Sequence, residues 1–182
     1  MAVMKQRGAT LIEILVTIVI VAFGLLGLAG LQMKMQMSET EAYQRSQAIM
    51  LLNDMASRIA TNRINSASYV STTTYGTGAT CSSISTSTQA GRDLQEWCYA
   101  LEGAGATLGT AKAGAMINGK GCITSTSGGD ILVTVVWQGL TPISAPPSSV
   151  TCGATNYDFG TSCVNELCRR FLTTVVKIGT LT

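Results

Sequence analysis

From residue 14 to residue 31 the chain reads ILVTIVIVAFGLLGLAGL, eighteen positions in a row without a charge. As a helix this run is ~27 Å long, close to the hydrocarbon thickness of a bilayer. Between residues 34 and about 62 the pattern changes. Ile49, Leu52, Met55 (with Ala56) and Ile59 recur at three- and four-residue spacing, which predicts one apolar stripe on a helix. Asp54 and Arg58 form an acid-then-base i,i+4 pair on the other side of it. No proline falls between residues 9 and 65, so both patterns fit one continuous helix of ~80 Å. Because the stripe covers only the second half, that half packs on a domain. The first half must bury itself in lipid or among neighbouring helices.

Beyond the helix the signals are shorter. Residues 66–88 contain 14 Ser or Thr in 23 positions and read as an irregular, exposed connection. Residues 92–101 read as a short helix with Leu94, Trp97, Cys98 and Leu101 on one face, followed by glycine-rich linkage over 103–121. Three segments rich in β-branched residues, 121–125, 131–138 and 170–178, predict strands. Ser127-Gly128-Gly129-Asp130 suits a hairpin turn between the first two. Residues 139–167, with Pro142, Pro146 and Pro147, read as a long loop. The economical fold is α+β: a lollipop whose long N-terminal helix packs its second half against a small antiparallel sheet.

Composition narrows the chemistry. The 182 residues include 12 Lys and Arg, 10 Asp and Glu, and no histidine. That excludes Ser-His and Cys-His catalysis and every histidine-metal design. The carboxylates Asp93, Glu96, Glu102, Asp130, Asp158 and Glu166 are scattered without a motif, so no enzyme and no cofactor is expected. A net charge of +2 is too small for nucleic-acid binding driven by bulk electrostatics. Met33, Met35, Met37, Met50 and Met55 read as adaptable packing and not as a metal box. The even set of cysteines, Cys81, Cys98, Cys122, Cys152, Cys163 and Cys168, follows the apolar run and has no Cys-x-x-Cys pair, which predicts three structural disulfides. Fifteen pairings are open, with at least one bridge clamping the loop that holds the last three.

The amino terminus carries the sharpest signal. Lys5 and Arg7 precede the apolar run and place the N-terminus on the cytoplasmic side, with everything after Leu31 across the membrane. Glu13 lies inside the apolar segment, where a carboxylate costs a few kcal/mol unless it stays interfacial or finds a partner. Arg7-Gly8-Ala9-Thr10-Leu11-Ile12-Glu13 resembles the class III signal of type IV prepilins: a short basic leader ending in Gly, then Thr-Leu-Ile-Glu, then a long apolar stretch. The resemblance implies recognition of Lys5, Arg7 and Gly8 by prepilin peptidase, cleavage between Gly8 and Ala9, and N-methylation of Ala9. It also implies that Glu13 docks the subunit by pairing with the N-terminal amine of a neighbour, neutralising two charges in an apolar core. Ala9 stands where most members of the family carry Phe.

Gly24-Leu25-Leu26-Gly27-Leu28-Ala29-Gly30-Leu31-Gln32, Asn53-Asp54-Met55-Ala56-Ser57-Arg58, Trp97-Cys98, Gly121-Cys122-Ile123, Val133-Thr134-Val135-Val136-Trp137-Gln138-Gly139 and Arg169-Arg170 also resemble, in order, minor pilins of the PilV kind. The domains then expected are a leader at 1–8, a transmembrane and filament-core half-helix at 9–33, an amphipathic half at 34–64 and a disulfide-stapled head at 65–182. Such a subunit would sit in the inner membrane as a single pass, its head periplasmic, and then enter a pilus on the cell surface. The resemblance implies a priming or tip complex with other minor pilins and the major pilin, reached through prepilin peptidase and the inner-membrane assembly platform. Adhesion, twitching motility or DNA uptake would follow. The alternatives are a type II secretion minor pseudopilin, and a tip adhesin or DNA-binding pilin using Arg169, Arg170 and Lys177 beside Tyr157 and Phe159. Two arginines at a strand start read more simply as a solvated edge device, so nucleic acid is not an expected partner.

Overall fold

A computed structural model describes residues 10–105, 107–108, 111–112 and 116–179. Helix α1, Leu11–Thr61, is the single long helix that the unbroken pattern predicts. A 3-10 turn, Arg63–Tyr69, follows it. Helix α2, Gln89–Leu101, starts three residues before the predicted 92 because the Thr88 hydroxyl caps it, accepting from the Gly91 N–H at 3.1 Å. The cap was hidden in the Ser/Thr-rich run.

The sheet forms from strands β4 (Lys120–Ser125), β5 (Ile131–Gln138) and β6 (Arg169–Val176), all antiparallel. A fourth strand, β1 (Tyr75–Gly76), pairs with β4 and gives the order β1-β4-β5-β6. This strand corrects the reading of residues 66–88 as wholly irregular and exposed. Tyr75 and Cys81 are buried, and the Ser71 N–H donates to the Ile123 carbonyl. The glycine-rich stretch likewise holds a small hairpin of β2 (Thr107–Leu108) and β3 (Ala111–Lys112). The turn between β4 and β5 forms as expected, with the Thr126 N–H donating to the Asp130 carbonyl and Gly129 at φ +82°.

Of the described residues, those up to Thr40 form one compact unit and those from Glu41 onward another. Within the second, Leu52, Met55 and Ile59 of α1 share a core with Leu94, Trp97 and Leu101 of α2. Ile123, Val133, Val135 and Val176 complete it from one face of the sheet. Val136 points to the other face, where Cys152 and Tyr157 cover it beside Phe171. The alternation of strand side chains thus supplies two cores, a large one under the helices and a small one under the long loop.

The stripe on α1 has a different phase from the one predicted. Gln44, Ala48, Leu52, Met55 and Ile59 are the buried set, and Ile49 is 43% exposed. At 100° per residue the five buried positions span an arc of about 80°, and Ile49 lies about 60° beyond its edge. Apolarity alone drew the stripe towards Ile49, whereas the head selects the small Ala48 and the amide Gln44.

Candidate functional site

Two regions carry chemistry, and they are described separately. The first is the start of α1. The Thr10 carbonyl accepts from the N–H groups of Glu13 (3.0 Å) and Ile14 (3.3 Å), which opens the helix. Glu13 is exposed in its first turn, where the helix dipole favours an acid. Beyond it an 18-residue window has a mean hydropathy of 2.8 and none of it is buried. Leu11, Ile18, Phe23 and Leu26 are each more than 60% exposed, a display of apolar surface that only lipid or other helices can cover. At Gly24, Gly27 and Gly30 an added Cβ would meet nothing within 4 Å, so these positions are open to close approach by another helix. Lys5, Arg7, Gly8 and Ala9 lie outside the described residues.

The second region is a set of polar anchors that hold the head on residues 41–61 of α1. Arg58 donates to Asp54 (3.0 Å), to Asp93 (3.2 Å) and to Glu96 (2.7 Å), the last two on α2. It therefore does not lie on a free outer side, as the i,i+4 reading had it. Partial burial works against the Arg58 cation, but Glu96, Asp54 and Asp93 outweigh that and hold it charged. Asp93 is itself buried and accepts from the Tyr69 hydroxyl at 2.5 Å and the Gln89 amide at 2.9 Å. The Trp97 indole N–H donates to the Leu51 carbonyl at 2.9 Å.

Nearer residue 41, Glu41 accepts from the Leu140 N–H (3.0 Å) and from Arg170 (3.3 Å), while the Gln44 side-chain Oε1 accepts from the Ile117 N–H (3.1 Å). These anchors escaped the sequence reading. Carrying the buried phase of α1 back about two turns from Ala48 would have found them, since Glu41 and Gln44 lie on the same arc.

Arg169 and Arg170 are not a solvated edge device. Arg169 is 4% exposed, donates to the carbonyls of Val150 (2.8 Å) and Cys152 (2.7 Å), and pairs with Glu166. Arg170 also reaches the Thr141 carbonyl at 2.6 Å. Arg169 is buried with its Nη1 committed to two of the chain's own carbonyls, and Tyr157 beside it is buried. Both arginines pin the long loop.

The same loop is clamped covalently. The pairs are Cys81–Cys98, Cys122–Cys152 and Cys163–Cys168. The first ties the Ser/Thr-rich segment to α2, and the second ties β4 to the loop over the small core.

Two tyrosines give this head a pH signature. Burial, and then the Tyr69–Asp93 bond, push the Tyr69 phenol above its ordinary range. Burial does the same at Tyr157, with the Arg169 charge opposing it and Glu166 reinforcing it. Each phenol is neutral in the native head and ionises more readily when unfolded. Their contribution is therefore complete below the ordinary phenol pKa of ~10 and is lost as pH rises through the higher native values. The thermal midpoint of the head should fall above about pH 10, and Tyr157→Phe should flatten that fall, as followed by near-UV circular dichroism across a pH series.

Comparison with known families bears on both regions. The prokaryotic N-terminal methylation motif matches residues 3–29, a span that holds Glu13 and most of the exposed apolar run. A family described as Type IV pilin Tt1218 matches residues 30–102, from the end of that run through the anchors on α1 and α2. The two matches abut and cover more than half of the chain. The chain is a type IV pilin. No curated protein and no solved structure matches it. The family is structural and not enzymatic, so the pilin's polar clusters are anchors and not catalysts. A pilin with this motif is processed by a peptidase, is membrane-anchored by its apolar helix and assembles with other pilins. In the pilin, α1 and the four-stranded antiparallel sheet form the α+β arrangement expected from the sequence.

Proposed function

We propose that this pilin is a minor subunit that joins other minor pilins in a complex priming pilus assembly, and so supports adhesion, twitching motility or DNA uptake. The observation that carries this reading is where the segments resembling PilV-type minor pilins lie. Asn53 to Arg58 on α1, Trp97 and Cys98 on α2, Gly121 to Ile123 on β4, the β5 run from Val133 and the two arginines of β6 all belong to the core of the head or to its anchors. The likeness therefore resides in the framework of the head as well as in the leader.

In this reading residues 1–8 are a leader, and Lys5 and Arg7 hold the N-terminus cytoplasmic while the head stands in the periplasm. Cleavage after Gly8 frees Ala9 for methylation. The Glu13 carboxylate then pairs with the N-terminal amine of a neighbour as the subunit leaves the inner membrane, so that neither charge stays alone in an apolar core.

Two variants of the full chain, expressed in its own host, test the steps separately. Gly8→Ser should leave the longer precursor in the membrane; a normally processed variant would refute the role of Gly8 in the signal, and a native mature chain that does not begin at Ala9 by mass spectrometry would refute the cleavage site. Glu13→Ala should be cleaved normally yet be recovered with the other minor pilins at about a tenth of the native level or less. Undiminished co-isolation would remove the docking role. A deletion strain that keeps its pili but loses type II secretion would assign the pilin to the secretion machine instead.

A further inference from the structure

Three of the four left-handed residues other than glycine, among the described residues, meet at one short turn of the long loop. Asn165 and Glu166 are consecutive there, at φ +54° and +65°, and Thr155, at +64°, donates its N–H to the Glu166 carboxylate. Each has a Cβ that crowds its own backbone in this conformation, and Thr155 is β-branched, the type least suited to it. Contacts from outside must hold them. The Cys163–Cys168 bond closes the turn at both ends. Within it the Glu166 N–H donates to Asp158 Oδ1 at 2.7 Å, and the Glu166 carboxylate pairs with the buried Arg169. The Cys163 carbonyl accepts from the Phe159 N–H and the Leu167 carbonyl from the Ile143 N–H, each at 2.8 Å. Ile143, Thr155, Asp158 and Phe159 of the long loop thus hang on a turn whose shape its own residues disfavour.

The three bridges differ in access. Cys163 is half-buried between exposed Ser162 and Val164. Cys122 is also half-buried but lies between buried Gly121 and Ile123, and Cys81, Cys98 and Cys152 are buried. A thiolate needs a clear approach to the sulfur it attacks, and Cys163 gives it. The Cys163–Cys168 bond also closes the shortest stretch, 5 residues against 17 and 30, so it constrains the unfolded chain least. Its effect is on the turn, not on the head as a whole.

We propose that Cys163–Cys168 is a redox-sensitive lock: a dithiol opens it, and residues 158–167 then loosen from a head that stays folded. One thiolate of the dithiol attacks Cys163 Sγ, and Cys168 leaves as a thiolate that takes up a proton. The second thiolate attacks the mixed disulfide at the dithiol's own sulfur. Cys163 then leaves and is protonated, and the dithiol ends oxidised to a disulfide as the cystine is reduced. With its ends free, the turn returns to right-handed backbone and withdraws Glu166 from Thr155 and Arg169. The release stops at Tyr157, which is fully buried and donates to the Asn118 carbonyl at 2.8 Å. Cys152 stays bonded to Cys122, and Arg169 keeps the Val150 and Cys152 carbonyls. The lock is independent of the priming role.

The test titrates the oxidised full chain in detergent with dithiothreitol, traps free thiols by alkylation and locates them by mass spectrometry. Cys163 and Cys168 should be labelled at about a tenth, or less, of the dithiothreitol needed for the other four cysteines. In the chain so reduced, residue-resolved amide exchange at Phe159, Glu166 and Leu167 should be about tenfold or more faster, with β5 unchanged. Reoxidation should restore the slow rates. The double variant Cys163→Ala, Cys168→Ala should show the fast pattern without reductant, at a thermal midpoint close to the native one. Labelling of any other cysteine at the same concentration would overturn the proposal. Native exchange after selective reduction would overturn it too, leaving the bond an idle staple. Fast exchange along β5 would do the same, by making the bond a support of the whole head.

Discussion

Replacing Asp93 with Ala should lower the stability of the head by about 3 kcal/mol, the cost expected when one member of a buried, charged network is removed. Asp93 is 5% exposed and serves three donors on three segments: Arg58 of α1, the Tyr69 hydroxyl of the 3-10 turn and Gln89 of α2. Its loss leaves Tyr69, fully buried, with an O–H and no carboxylate to receive it. Arg58 is less affected because Asp54 and Glu96 still hold it near the surface. The damage is therefore local to the junction of α1 and α2. Urea unfolding of the full chain in detergent, followed by near-UV circular dichroism, should show an earlier midpoint, and Tyr69→Phe should cost less than Asp93→Ala. Equal costs would mean that the hydroxyl, and not the carboxylate, organises the junction.

Gly121→Ala is expected to be nearly as damaging, at about 2–3 kcal/mol, through overpacking. A Cβ on this β4 residue would fall 2.2 Å from the Trp97 ring and 2.8 Å from Leu101. The ring cannot retreat. Trp97 has no exposed surface, its N–H is held by the Leu51 carbonyl, and Tyr75 packs at a ring-centre distance of 6.0 Å on another side. Relief must come from moving α2 away from the sheet, which loosens the large core. The variant should show an altered tryptophan emission and a lower thermal midpoint, whereas a native spectrum at native stability would refute the tight fit.

What the sequence made legible was whatever has a long period. Fifty residues of unbroken pattern fix α1, and alternating β-branched runs fix β4, β5 and β6. Two kinds of feature were not legible. Strand β1 is two residues long and leaves no alternation to read, yet Tyr75 and Gly76 form the far edge of the sheet because β4 offers them partners. The roles of Glu41, Gln44, Asp93 and Arg169 depend on backbone groups and side chains brought from distant parts of the chain, as Val150 lies 19 residues from Arg169, Tyr69 lies 24 from Asp93 and Leu140 lies 99 from Glu41. A charged residue in a strand reads as solvated until its acceptors are seen. At the amino terminus the opposite holds: the methylation motif over residues 3–29 is a linear signal that needs no fold to be read.

The disulfides close stretches of 17, 30 and 5 residues, and these stretches follow one another along the chain without overlapping. Each cysteine is bonded to the next or the previous one in sequence, so the pairing is first with second, third with fourth, fifth with sixth. This is the arrangement that arises when each thiol simply meets the next to emerge. Oxidation could keep pace with delivery of the chain, and of the fifteen pairings open to six cysteines the native one requires no reshuffling by an isomerase.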